Sequence, residues 1–328
     1  MAVGLVTQDT VAALIQDVYG PGALAVCLNK FSKAYTFFQR TGRIIEDPRL
    51  YIRWPIKSVA YPSVTNISDG QTLPSAGQPE YSEAVLSYKI AIGMIRLGRL
   101  TQLGATSLEY FRTGAGQGLL QDQMAEVLEE MARTIDLQIV QLASGSTLQI
   151  TGLGDAVANN ANTYAGIARA ANAFWQPYVN GNAGTNRGLT EALLRDVHDT
   201  LKNTRGAVVD AVWCGTTVWH ALEDLLKNTG NNSRVRYVDG GTKLRAGIEG
   251  DIIWNGIPFS EMDRMDTNAM FWLDFTSGQG IGLHRQHKDD FLIQKEATNA
   301  YDDRWSLAGH YQLKVHIPWR QGALLDVQ

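Results

Sequence analysis

Apolar positions along this chain change their period repeatedly, and each change predicts a different element. From Gly118 to Gly145 the apolar residues Leu120, Met124, Val127, Met131, Ile135, Ile139 and Leu142 recur in steps of three and four, the spacing of one helical face. Asp122, Glu126, Glu129, Arg133 and Asp136 fall on the opposite face. Glu129 and Arg133 are placed to pair across one turn, and Gly145 is placed as the stop. At 1.5 Å per residue the result is a rod of roughly 40 Å. A rod of that length with one apolar stripe is a beam, and something lies along its stripe.

Upstream the period shortens to two. Trp54–Tyr61 alternates like a strand, and so does Tyr81–Arg96, with Ala84, Leu86, Tyr88, Ile90, Ile92 and Met94 expected on one side. Between them Asn66–Glu80 is rich in Gly, Pro, Ser and Asp, far longer than a tight hairpin turn needs. The reading is a long two-stranded ribbon with an extended tip. An isolated ribbon is marginal in water, so it needs a partner surface, and no other part of the chain obviously offers one. Residues 1–50 hold only short helical patches, such as Lys30–Arg40 with Phe31, Tyr35 and Phe38 on one side. They read as an arm that borrows stability from a neighbour.

Downstream, helical and strand patterns alternate. Leu189–Leu201 is expected as a helix capped by Thr190, with Leu193, Leu194, Val197 and Leu201 inward. Ala207–Cys214 follows as a buried strand and Val218–Lys227 as a second helix. Short strands come next at Asp251–Trp254, Ile257–Phe259, Ala269–Phe275, Phe291–Lys295 and Trp305–Pro318.

Composition narrows the function classes. The 328 residues are 45% hydrophobic and 19% charged, with a net charge of −4, enough for two cores. No basic excess points to a nucleic-acid reader. Two cysteines, Cys27 and Cys214, imply a reduced compartment and no disulfide framework. No signal peptide and no membrane span are expected.

Each candidate for chemistry reads better as structure. Gly114, Gly116 and Gly118 precede a helix, but Leu119 stands where a dinucleotide loop wants its third glycine, and no phosphate-loop lysine follows. They read as a flexible joint. His284 and His287, with Asp289 and Asp290, resemble a metal cluster. On a strand that spacing puts the two imidazoles on opposite faces, so a solvated polar strand is expected. Glu129 and Glu130 diverge by about 100° on a helix. Cys214 ends a buried strand and reads as a core residue. The eight tryptophans, notably Trp175, Trp213, Trp219, Trp254, Trp272, Trp305 and Trp319, read as core and interface anchors. The expectation is therefore no catalytic residue, no metal and no cofactor.

The order of parts, together with the stretch Tyr164, Gly166, Ile167, Arg169 and Trp175, resembles the major capsid proteins of tailed bacteriophages, whose fold is named after phage Hong Kong 97. The ribbon tip with Asp69, Gly70, Leu73, Pro74 and Gly77 is similar to that family's loop tips. Tyr311–Trp319 into Gly322–Leu325 resembles its last peripheral strand and return. The resemblance implies an α+β fold with an arm at 1–52, an extended loop at 53–101 and a peripheral domain with its spine helix at 102–150. An axial domain at 151–282, return strands at 283–316 and a C-terminal return at 317–328 complete it.

It implies a structural role: many copies, as pentamers and hexamers, closing an icosahedral shell around double-stranded DNA that is not bound sequence-specifically. Asp69, Gly70, Leu73, Pro74 and Glu80 are the inter-subunit contacts this implies. Further implied partners are a portal and a decoration protein. The long charged scaffolding segment that opens many relatives is not seen here, so scaffolding is expected as a separate protein or not at all. The location implied is the virion, after assembly in the bacterial cytoplasm. An encapsulin-like shell holding cargo enzymes shares the fold; the chain length and the long ribbon favour the phage. An α/β nucleotide-binding enzyme is the alternative from another class, and the missing glycine and lysine count against it.

Overall fold

The computed structural model describes residues 33–58, 66, 68–69, 80–98, 119–228, 235–237, 252–276, 280–287, 291–297 and 302–328. Among the described residues the first elements are helix α1 (Lys33–Arg40) and strand β1 (Ile44–Glu46). The ribbon follows as β2 (Tyr51–Lys57) and β3 (Tyr81–Ser87), and β4 (Lys89–Gly98) leads toward the long helix α2 (Leu119–Val140). A hairpin of β5 (Thr163–Tyr164) and β6 (Ile167–Ala168) starts the next region, with β7 (Tyr178–Asn180), α3 (Glu191–Asp199), β8 (Ala211–Cys214) and α4 (Thr216–Asn228). Then come β9 (Val235–Tyr237), β10 (Ile252–Trp254), β11 (Ile257–Glu261), β12 (Met270–Leu273), β13 (Ile281–Arg285), β14 (Leu292–Glu296), β15 (Asp302–Val315) and β16 (Gly322–Leu324).

A seven-stranded mixed sheet, in the order β7-β16-β12-β8-β11-β10-β9, is a wall between two cores. Its central strands are buried on both faces, so they read as continuous apolar runs. Alternation then divides their side chains. Ala211, Trp213, Phe271, Leu273 and Ala323 join one core, while Val212, Cys214, Met270, Trp272 and Leu324 join the other. Helices α3 and α4 close the second core with Leu194, Val197, Val218 and Leu222. Thr190 caps α3, its hydroxyl accepting from the Leu193 amide at 3.3 Å.

The first core joins that wall to a five-stranded sheet built around β15. Strand β4 runs antiparallel along β15 from Lys89 opposite Tyr311 to Gly98 opposite Asp302. Strands β14 and β13 share the other edge of β15, and β1 adds to β13 in parallel. Helix α2 lies across β4, with Met124, Leu128, Met131, Ala132, Ile135, Ile139 and Val140 all buried.

Several expectations need correction. The described part of the arm is housed in its own subunit. Tyr35, Phe37 and Phe38 are buried, and Phe37 packs edge-on against Trp213 at 5.3 Å and lies 4.8 Å from Phe275. Residues 1–32 lie outside the described residues. The long helix ends at Val140 and not at Gly145. Just past its end the chain folds back on it: the Ile150 amide donates to the Gln138 side chain and the Gly154 amide to the Gln141 carbonyl. Asp136, expected on the solvent face, is buried. Val127 and Leu142 of the stripe are half-buried, and the Leu120 side chain lies outside the described residues.

The predicted strand Tyr81–Arg96 breaks at Tyr88, where the chain leaves one sheet for another. Before the break Ala84 and Leu86 are buried; after it Ile95 is buried, and Ile90, Ile92 and Met94 are about 60% exposed. One residue of phase slip moves every later side chain to the other face. Strand β13 starts at Ile281 and β2 at Tyr51, so the expected boundaries at 282/283 and 52/53 fall inside strands.

Candidate functional site: the junction beneath the ribbon

The residues Tyr164, Gly166, Ile167, Arg169 and Trp175 come together where ribbon, spine helix and both sheets meet. The local cause is a tight hairpin. Ala165 and Gly166 connect β5 to β6 with φ of 51° and 81°, the pair of left-handed residues that a two-residue hairpin turn demands. Glycine takes the second position without strain. The turn directs Tyr164 and Ile167 into the core and leaves the Ala165 carbonyl free to accept from the Val85 amide of β3 at 2.9 Å. The hairpin thereby holds the second ribbon strand.

Tyr164 is buried, and its hydroxyl accepts from the Val315 amide at the end of β15 at 2.8 Å. Burial holds its hydroxyl well above the usual phenol range. The Trp175 indole donates to the Tyr164 carbonyl at 3.0 Å, and its ring lies 6.4 Å from Trp54 of the ribbon. Arg169 is fully buried. Its guanidinium donates to the carbonyls of Asp155 at 2.7 Å and Ala156 at 2.6 Å and to the Asn162 side chain at 2.9 Å. It also bonds the Asn159 carbonyl and stacks 5.0 Å over the Tyr164 ring. Burial pulls its pKa down to about 10. Arg169 therefore ties the irregular segment that leaves α2 to the hairpin that holds the ribbon. Every one of these groups meets backbone, and no pair of them is arranged as nucleophile and base.

The ribbon root is built from a second set of groups. Trp54 donates to the His316 carbonyl at 3.2 Å and stacks on the His316 ring at 6.1 Å. Lys314 lies 4.9 Å over the Trp54 ring. Asp47 is held by two 2.7 Å bonds from Arg49, and the Tyr88 hydroxyl donates to the Asp47 carbonyl at 2.9 Å. The root of the ribbon therefore has a home in its own subunit, contrary to the expectation that no part of the chain supplies one. Sequence reasoning missed it because Asp47, Lys314 and His316 come from distant segments. At the other end Asp69 and Glu80 are exposed, while Gly70, Leu73 and Pro74 lie outside the described residues.

The expected solvated strand at His284 is corrected as well. His284 is 4% exposed, and neither ring nitrogen has a hydrogen-bond partner among the described residues. Its strand lies between β1 and β15, and the Asp47 carboxylate stands 3.9 Å from its Nδ1. Its companion His287 points elsewhere, its ring 5.1 Å from that of His310. Asp289, Asp290 and the glycines Gly114, Gly116 and Gly118 lie outside the described residues. Cys214 is fully buried in the second core, away from any site on the surface. Trp175, Trp213, Trp219, Trp254, Trp272 and Trp305 are buried, and Arg205 stacks 4.1 Å over the half-buried Trp319.

Comparison with known proteins gives the wider context. The model of the SU10 major capsid protein family matches residues 105–253, a span that includes α2, the junction hairpin and much of the seven-stranded sheet. No curated protein matches the sequence. Among solved structures, the chain is similar to one in the capsid asymmetric unit of cyanophage A-1(L), at 16% identity and a TM-score of 0.68, covering 87% of this chain and 90% of that one. A chain of Mycobacterium phage Bobi matches at 12% identity and a TM-score of 0.55, over 99% of both. The holo-SrpI encapsulin complex of Synechococcus elongatus matches at 11% identity and a TM-score of 0.57, over 89% of both. The fold is the Hong Kong 97-like capsid fold.

Proposed function

We infer that this chain is the major capsid protein of a tailed bacteriophage, similar through residues 105–253 to the SU10 major capsid family and built on the capsid fold over nearly its whole length. The observation that carries the reading is the family match. The fold alone is shared with an encapsulin, so it leaves cargo shell and phage head undivided, whereas the matched family is one of phage heads. The subunit is a wall element, not an enzyme: it assembles with many copies of itself into an icosahedral shell and belongs to the virion.

The finer assignments are part of the proposal. The arm, ribbon, spine, axial and return regions take the roles expected of them, with pentamers and hexamers as the capsomers. The ribbon tip, with Asp69, Gly70, Leu73, Pro74 and Glu80, meets a neighbouring subunit. A separate scaffolding protein, a portal and a decoration protein complete the head, and double-stranded DNA is enclosed without specific binding. The net charge of −4 supports that last point, because phosphate affinity needs clustered Lys and Arg.

The test is a chain with residues 66–80 replaced by an Asn-Gly turn. The replacement leaves both ribbon strands whole, since their pairing runs from Tyr51 opposite Ser87 to Lys57 opposite Tyr81. Shortening a loop changes stability by only about 1 kcal/mol. The variant is expected to fold and melt cooperatively by circular dichroism, and to form no stable shells by electron microscopy where the wild type does. Normal shells of wild-type stability from the shortened chain would remove the ribbon tip from the lattice. Wild-type protein that stays monomeric even with co-expressed head proteins would remove the capsid reading itself.

A further inference from the structure

We propose that the root of the ribbon is an acid-released clamp, in which protons taken up by the buried imidazoles of His284 and His316, beside Lys314, free both ribbon strands from the subunit body. The geometry begins with where the two rings sit. His284 on β13 is 4% exposed, with neither nitrogen partnered among the described residues. His316, just past β15, is half-buried under Trp54, and its Nδ1 is likewise buried without a partner among the described residues. A neutral imidazole tolerates such a place far better than an imidazolium does.

The groups that face these rings decide the effect of a proton. From β15 comes Lys314, 6% exposed. From the segment after β1 come Arg49 and Asp47, whose carboxylate lies 3.9 Å from His284 Nδ1. Lys57 of the ribbon and Arg320 line the same groove as His316. The set holds four cations and one carboxylate, and that carboxylate is already bonded twice by Arg49. Burial first and Lys314 second hold both histidines down to about 4. The Arg49 hydrogen bond keeps Asp47 below the ordinary carboxylate value, so it stays ionised while the imidazoles charge.

Both ribbon strands hang from this cluster. The first strand is seated by Trp54, bonded to and stacked on His316 with Lys314 over its ring. The second is seated by Tyr88 on the Asp47 carbonyl, and the Asp47 amide is anchored on Arg285, next to His284. Charging the two imidazoles adds repulsion at both seats at once, and opening the root hydrates all the cations. The sign follows from linkage. Each ring has a lower pKa closed than open, so closure is fully favoured above about 6.5 and weakens as the pH falls toward about 4.

The inference concerns the subunit, so its test does not depend on whether shells form. Hydrogen exchange of soluble subunits, corrected for the intrinsic rate, is followed in residues 47–57 and 81–88 between about pH 7 and pH 4. In the wild type, opening of these segments is expected to rise about 100-fold or more over that range, while α2 and β8 stay protected. The double variant H284Q/H316Q carries no titrating ring and is expected to show no such rise. His316→Gln alone, at a half-buried site that tolerates change, is expected to keep one proton's worth of pH dependence instead of two. It serves as the decisive variant should the double change fail to fold. Protection of the root that is unchanged to pH 4 in the wild type overturns the clamp, and so does equal acid opening in His316→Gln.

Discussion

Replacing Arg169 by methionine isolates what the junction contributes. The change keeps an unbranched apolar stem of similar length and deletes the guanidinium. Three backbone carbonyls, of Asp155, Ala156 and Asn159, and the Asn162 side-chain oxygen then lose their donor. Hydrogen bonds to a charged group contribute about 1.5–3 kcal/mol each, and a plain sum over four would exceed what a buried ion can supply. The guanidinium has itself left water, and burial pulls its pKa down to about 10, so part of that sum is offset by desolvation. A buried acceptor left without its donor costs about 1–3 kcal/mol, so orphaning several of them is expected to cost roughly 3–5 kcal/mol net. That is a large part of the ~5–15 kcal/mol that holds a domain folded. Arg169→Lys keeps the charge but not the fork, and is expected to recover only part of the loss. The assay is urea unfolding of dispersed subunits, followed by far-ultraviolet circular dichroism. Arg169→Met protein within about 1 kcal/mol of the wild type would refute the view that this side chain ties the spine's exit to the ribbon.

A Cβ added at Gly93 would press into Val127 and sit 3.3 Å from Met131 Sδ, so Gly93→Ala is expected to lose about 1–3 kcal/mol in the same unfolding assay. Met131 is 5% exposed between α2 and β4, and Met131→Asp places an unpaired charge there at a cost of several kcal/mol; insoluble subunits are expected, and soluble protein that still builds shells would contradict the burial. For His284 the folded pKa of about 4 lies below the unfolded value of 6.5. Its contribution, of order 3 kcal/mol, is therefore present above pH 6.5 and is lost as the pH falls toward 4. His284→Gln is expected to flatten that part of the stability-versus-pH curve, read from urea midpoints.

What the chain's own pattern determined is local and periodic. The stripe Met124, Met131, Ile135 and Ile139 repeats at the helical period and is buried as one face of α2. Glu129 and Arg133 meet at 2.5 Å because one helical turn separates them. Thr190 marks the start of α3, and the four-residue runs at β8 and β12 are buried throughout. The motif Tyr164, Gly166, Arg169 and Trp175 was legible as a family likeness, and its turn glycine has a local reason in φ.

Tertiary structure decided what depends on residues far apart. Helix α2 stops at Val140, short of Gly145, where the segment around Ile150 and Gly154 returns to bond the Gln138 side chain and the Gln141 carbonyl, a contact no periodicity encodes. Ile90, Ile92 and Met94 continue the alternation of Ala84 and Leu86, yet they face outward, because the chain changes sheets at Tyr88 and the register restarts. His284 has the sequence neighbourhood of a polar strand, yet it is buried on β13, which lies between β1 and β15. Trp54 reads as one position in an isolated ribbon until β15 brings Lys314 and His316, some 260 residues away in the chain, beneath its ring. Periodicity reports which side of an element is apolar. Which neighbour covers that side, and which charges are buried with it, is settled when distant segments close on one another.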